Sequence, residues 1–126
     1  MMKKVELHSE ERFTFSSYVV ADNFIYISHI GGIVDDEGNV LKTIEEQTRQ
    51  ALENLKDMLA HEEVTLNDVA KITVYLDDIN HFDQMRNVYR EFFTDGYPVR
   101  MTATTDFIEP ECLIQLDTVA YKGEES

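Results

Sequence analysis

The stretch TIEEQTRQALENLKDMLA at residues 43–60, followed by VAKITVYL at residues 69–76, decides the fold. Thr43 and Glu46 have the spacing of a capping box, in which the hydroxyl and the carboxylate three residues later satisfy each other's orphan amides, so a helix starts there. Ala51, Leu52, Leu55, Met58 and Leu59 recur at i, i+3, i+4 and i+7, while Glu45, Glu46, Arg49, Glu53, Lys56 and Asp57 fall mostly elsewhere. One apolar stripe must therefore pack on a flat neighbour. After the cap-like Asn67-Asp68, Ile72 to Leu76 alternates with period two and predicts a strand with one buried face.

Working outward, Ser17 to Ala21 and Phe24 to Ser28 are rich in β-branched and aromatic residues and flank Asp22-Asn23, a pair that tolerates positive φ. They predict a hairpin, with Lys4 to Leu7 as an edge strand and a further short strand ending near Leu41. Asp35 to Asn39 reads as a turn. Towards the C-terminus, Asn80 is expected to cap a second helix whose stripe is Phe82, Met85, Val88, Tyr89, Phe92 and Phe93, stopped by Gly96-Tyr97-Pro98. Two strands, about Arg100 to Phe107 and Leu113 to Tyr121, flank Glu109-Pro110-Glu111, and Lys122 to Ser126 forms a tail without an apolar anchor, expected to be mobile. Two one-sided helices and this strand order predict an α+β single domain over residues 1–126, one sheet covered on one face. The uncovered face, with its Tyr, Ile and Val, calls for a second copy of the chain.

The 126 residues suit one domain. Lys and Arg number 11 against 25 Asp and Glu, a formal net charge of −14, which repels phosphate backbones and anionic membrane alike. Neither nucleic acid nor membrane is an expected partner. Cys112 is the only cysteine, which excludes an internal disulfide and fits a reducing, cytoplasmic compartment. The N-terminal Lys3-Lys4 is followed by no apolar run, so no signal peptide is expected. The most apolar stretch, Phe24 to Val34, is 11 residues long and too short to cross a bilayer.

Familiar catalytic signatures are missing. His8, His29, His61 and His81 are scattered and form no metal-ligand spacing, so no metal is expected. No Gly-rich phosphate loop or nucleophile elbow occurs; Gly31-Gly32 ends a predicted strand, and Cys112 beside Leu113-Ile114 reads as a small buried hydrophobe. Arg100 starts a strand directly after Tyr97-Pro98-Val99, and its planar fork suits a carboxylate; a plain surface charge opposing the acidic surplus is the competing reading.

Tyr18, Ile27-Ser28, the helix run Glu46 to Leu55, Val69 to Leu76, Tyr89-x-x-Phe92-Phe93 and Pro98-x-Arg100 together resemble the RidA/YjgF family over roughly Tyr18 to Ala120. The resemblance implies a chorismate-mutase-like fold, a homotrimer with clefts between subunits, and cofactor-free hydrolysis of enamines and imines of the 2-aminoacrylate type to 2-oxo acids and ammonia. It implies that Arg100 holds the carboxylate of a small 2-imino or 2-oxo acid, that Tyr18 and Ser28 line the cleft, and that the water-orienting position is Gln115. The family's glutamate is replaced there by a side chain that can hold water but not take its proton at neutral pH. His29 stands where glycine is usual and Thr102 where a small residue or cysteine is usual, so both belong to the expected pocket. His29 either enters the cleft as a titratable group or packs on the other strand face at the subunit interface. Arg86, where asparagine is common, reads as an exposed surface residue outside the site. Three activities follow in order: imine deaminase, non-catalytic carboxylate-binding trimer, and, last because of the acidic surface, ribonuclease or translation inhibitor.

Overall fold

The structure is a computed structural model and describes residues 1–7 and 14–123. Eight elements follow one another: β1 (Met2–Val5), β2 (Tyr18–Ala21), β3 (Phe24–Gly31), α1 (Ile44–Ala60), β4 (Val69–Leu76), α2 (Phe82–Phe92), β5 (Val99–Thr104) and β6 (Ile114–Tyr121). They build one six-stranded sheet in the order β1-β2-β3-β6-β4-β5, antiparallel except for the parallel β4–β5 pair at one edge. Both helices cover one face, so the α+β class read from the periodicities is the observed one, with the chorismate-mutase-like arrangement. The early strand sits at Met2–Val5 rather than Lys4 to Leu7, and the strand expected near Leu41 is a single bridge between Val34 and Val40. His8 lies outside the described residues.

The capping box forms as its spacing requires: the Thr43 Oγ1 accepts from the Glu46 amide at 3.1 Å, and the Glu46 carboxylate accepts from the Thr43 amide at 3.2 Å. From there α1 lays Ala51, Leu52, Leu55 and Leu59 on the sheet, all fully buried against Ile27, Ile72, Val74, Ile114 and Leu116. Each leucine removed from water there contributes about 2 kcal/mol. The second helix is capped differently from the expectation: Asn80 lies inside a 3₁₀ turn, Ile79–His81, and the Asp78 carboxylate accepts from its amide at 2.9 Å. The Asx geometry of Asp78 wins because it sits at the extended residue just before the turn. The fourth strand is longer and the fifth shorter than expected: β4 starts at Val69, and β5 ends at Thr104, after which the Thr105 amide donates to the Leu76 carbonyl at 2.9 Å.

Two polar devices fix the ends of the sheet. Gln47 is fully buried and entirely satisfied: its Nε2 donates to the carbonyls of Leu41 (2.9 Å) and Glu111 (2.8 Å), and its Oε1 accepts from the Leu113 amide (2.9 Å). It thereby ties α1 to the segment that delivers Gln115. At the opposite end, Glu62 accepts from the Tyr18 hydroxyl at 2.5 Å and pairs with Lys122 at 3.2 Å and Lys3 at 3.4 Å. Lys122, assigned to a loose tail by composition, is thus held, its amide also donating to Asn23 at 2.7 Å; residues 124–126 lie outside the described residues. Burial opposes ionisation of Glu62, but Tyr18, Lys122 and Lys3 outweigh it and hold the carboxyl below its ordinary value of 4.5. A group whose pKa falls on folding stabilises the fold above that value and loses the contribution as pH drops through its folded pKa. Glu62→Gln should therefore cost about 1–2 kcal/mol near neutral pH, from the loss of charge-assisted bonds. The gap between wild type and variant in urea denaturation should close below pH 4.5. A gap independent of pH would show the charge to be irrelevant.

No helix among the described residues is long and apolar enough to cross a membrane.

Candidate functional site

Arg100 lies on β5, the edge strand, and alternation puts it with Thr102 on the helix-covered face. Its guanidinium carbon stands 5.5 Å from the centre of the Phe82 ring and 5.2 Å from that of Tyr89, both supplied by α2. Two aromatic faces hold a cation in place without neutralising it, and within the described residues the Arg100 guanidinium has no ion pair or hydrogen bond. A cavity of about 360 Å³ opens beside it, lined by Arg86, Tyr89, Arg90, Tyr97, Pro98 and Arg100. Among the described residues the buried Tyr89 hydroxyl has no hydrogen-bond partner, and burial, opposed by the pull of Arg100, leaves its pKa raised to about 12. Thr102 lines an adjoining hollow of about 650 Å³ with Phe82, Leu76 and Asn80.

Gln115 lies elsewhere. On β6, Ile114 and Leu116 point into the helix-side core, so Gln115 between them faces the open side of the sheet, level with Tyr75 and Gly31. A second hollow of about 600 Å³ lies there, lined by Phe15, His29, Tyr75, Gln115 and residues 105–109. Ser28 is exposed on β3, next to His29. His29 occupies a bulge where the β3–β6 register slips between Ile27 and Ile30, and its φ is +42°. A glycine adopts that conformation freely, whereas other residues are strained by about 1 kcal/mol or more. The His29 ring packs edge-on to Phe15 at 4.6 Å, and both line the hollow beside Gln115. His29→Gly trades relief of backbone strain against loss of that ring contact and should alter stability by less than about 1 kcal/mol. His29→Val, a β-branched residue at positive φ, should destabilise by about 2 kcal/mol in urea denaturation. Equal effects of the two substitutions would contradict a strained bulge.

Within one chain, then, the expected residues fall into two groups on opposite faces: Arg100 with Thr102, and His29, Ser28 and Gln115. Tyr18 joins neither. It is buried on the helix side with Val20 and Ile25, and its hydroxyl is committed to Glu62; burial and the neighbouring carboxylate push its pKa well up. The ring that stands beside His29 is Phe15, three residues earlier. Period-two alternation carried the signal, because Tyr18 shares its face with Val20, a core position. Arg86, assigned to open surface by its offset from the apolar stripe, is exposed yet lines the Arg100 cavity, its guanidinium 5.4 Å from the Phe82 ring. Its spacing of four from Phe82 and three from Tyr89 makes it their neighbour on the helix surface. Cys112 is buried, its thiol donating to the Ile114 carbonyl at 3.3 Å and raised in pKa by burial, as suits an inert hydrophobe.

Comparison with known proteins bears on what such halves could do. The family model described as Endoribonuclease L-PSP matches residues 6–122. A RutC family protein of Pyrococcus horikoshii is 38% identical over 109 residues, covering 86% of either chain. A human protein named 2-iminobutanoate/2-iminopropanoate deaminase is 29% identical over 110 residues, 86% of this chain and 80% of its own. Among solved structures, a putative endoribonuclease of Thermotoga maritima superposes with a TM-score of 0.80 at 29% identity, covering 96% of this chain and 93% of the other. A YjgF family member from Neisseria meningitidis reaches a TM-score of 0.84 at 20% identity, covering 99% and 98%.

Proposed function

Because the chain belongs to the Endoribonuclease L-PSP family, whose members carry the names RutC, YjgF and RidA, we propose that it hydrolyses small 2-imino acids, and their enamine tautomers of the 2-aminoacrylate type, to 2-oxo acids and ammonia. The observation that carries the reading is the Arg100 guanidinium, held between Phe82 and Tyr89, unpaired, and open to a cavity. A planar fork so held grips a carboxylate through two parallel hydrogen bonds. The name of the human relative supports the substrate class.

The two halves on opposite sheet faces belong together only if one copy supplies Arg100 and Thr102 and another supplies Gln115, Ser28 and His29. A homotrimer with clefts between subunits accounts for both that separation and the exposed Phe24, Tyr26, Met101 and Tyr121. In that cleft the imino acid is anchored by its carboxylate, and Gln115 holds a water by hydrogen bonds. Water adds to the C=N carbon as one of its protons passes to the substrate nitrogen; the resulting carbinolamine then forms its carbonyl while its hydroxyl proton passes to the nitrogen, and the C–N bond breaks to release ammonia. The proton goes to the substrate itself because a carboxamide cannot accept it at neutral pH. Gln115→Glu should therefore add a general base and raise turnover of enzymatically generated 2-aminoacrylate at least about ten-fold, within the range such groups supply. Gain of activity from an inactive wild type would favour the second reading, a carboxylate-binding trimer without catalysis, which rests on Gln115. Loss in the variant would contradict the water-holding role. RNA cleavage ranks last, since a net charge of −14 opposes a polyanion.

A further inference from the structure

The cavity beside Arg100 is more cationic than a monocarboxylate requires. Arg86, Arg90 and Arg100 line it, three of the five arginines in a chain whose acidic residues outnumber basic ones 25 to 11, and among the described residues none that lines it is acidic. Arg86 and Arg100 lie 5.4 Å and 5.5 Å from the centre of the same Phe82 ring, so their guanidinium carbons cannot be farther apart than the sum of those distances. Two guanidinium forks this close, each meeting a carboxylate with the carbons roughly 4 Å apart, can both be engaged by one small molecule only if its two carboxylates are joined through a short carbon chain. Arg86 has one competitor, Asp83 at 3.3 Å, whose side chain is 79% exposed. Such a surface pair is worth at most about 1 kcal/mol and yields to a better anion.

Resting on the reading that Arg100 takes the α-carboxylate, we propose that the natural substrate is a dicarboxylic 2-imino acid, whose side-chain carboxylate is taken by Arg86, with Arg90 adding to the positive field. A monoacid would leave the Arg86 guanidinium to its surface pair with Asp83; a diacid engages both forks at once and places the reacting carbon between them.

The test is calorimetric titration of the intact protein with 2-oxoglutarate and with 2-oxopentanoate, two stable product analogues of equal carbon number that differ in the second carboxylate. Wild type should bind the diacid at least about ten-fold more tightly, the ratio that about 1.4 kcal/mol provides. Arg86→Ala should bring the ratio close to one, whereas Arg100→Ala should weaken both acids. Equal wild-type affinities, or a preference that survives Arg86→Ala, would overturn the dicarboxylate assignment while leaving the Arg100 clamp standing. Binding of both acids unchanged in Arg100→Ala, or no binding of either by wild type, would overturn the clamp and this inference with it.

Discussion

Arg100→Ala is expected to weaken binding of a 2-oxo acid about a hundred-fold while the protein remains folded. Two charge-assisted hydrogen bonds from one guanidinium contribute about 3 kcal/mol in a site only partly open to water, and every 1.4 kcal/mol is a factor of ten. The structural loss is smaller: the side chain is half-buried at an edge strand, and its stacking on Phe82 and Tyr89 contributes about 1 kcal/mol to stability. Arg100→Lys separates charge from geometry. An ammonium keeps the positive charge but not the fork, so affinity should fall about ten-fold, between the two extremes. Calorimetric titration with 2-oxopentanoate, paired with a thermal melt of each variant, reads both effects. Lysine as good as arginine would show that simple charge suffices.

The largest stability effect is expected at Gly32. A Cβ built there would lie 2.4 Å from the Gln47 carbonyl oxygen and 2.6 Å from the Ala51 amide nitrogen, both backbone atoms of α1. Helix backbone cannot swing aside as a side chain does, so Gly32→Ala must lift α1 from the sheet. That movement disturbs the burial of Leu52 and Leu55 and the three hydrogen bonds of Gln47, and should destabilise by about 3 kcal/mol or more. Gly31→Ala is the control, since its nearest neighbours would be at 3.4 Å or beyond and the change should cost less than about 1 kcal/mol. Urea denaturation of the pair should separate them clearly. Similar midpoints would mean that helix and sheet are not in close contact at Gly32.

Most of the fold was legible because each element has a local cause: the Thr43–Glu46 box starts α1, a 3.6-residue stripe orients it, and a period of two marks β4. What escaped the sequence depended on atoms distant along the chain. Asp78 rather than Asn80 caps the second helical segment because the backbone turns one residue pair earlier than the apolar stripe begins. Lys122 is anchored by Glu62, 60 residues away, which no composition rule for tails could reveal. At the site, Arg100 stood out through its position after Pro98, but its partners did not. Tyr18 was named through the family resemblance, although its alternation with Val20 places it toward the core, and Phe15, apolar and set among small polar residues, carried no chemical flag. The bulge at His29 is invisible to periodicity because one extra residue shifts the pleat only locally.

The measurement that tests the central claim most directly is the rate at which ammonia and 2-oxo acid appear from enzymatically generated 2-aminoacrylate, in buffer, with wild type and with Arg100→Ala at matched concentration. Acceleration by wild type that disappears in the variant is the predicted result. A wild-type rate equal to that of buffer, or acceleration retained without Arg100, would contradict an imine hydrolase built on this arginine.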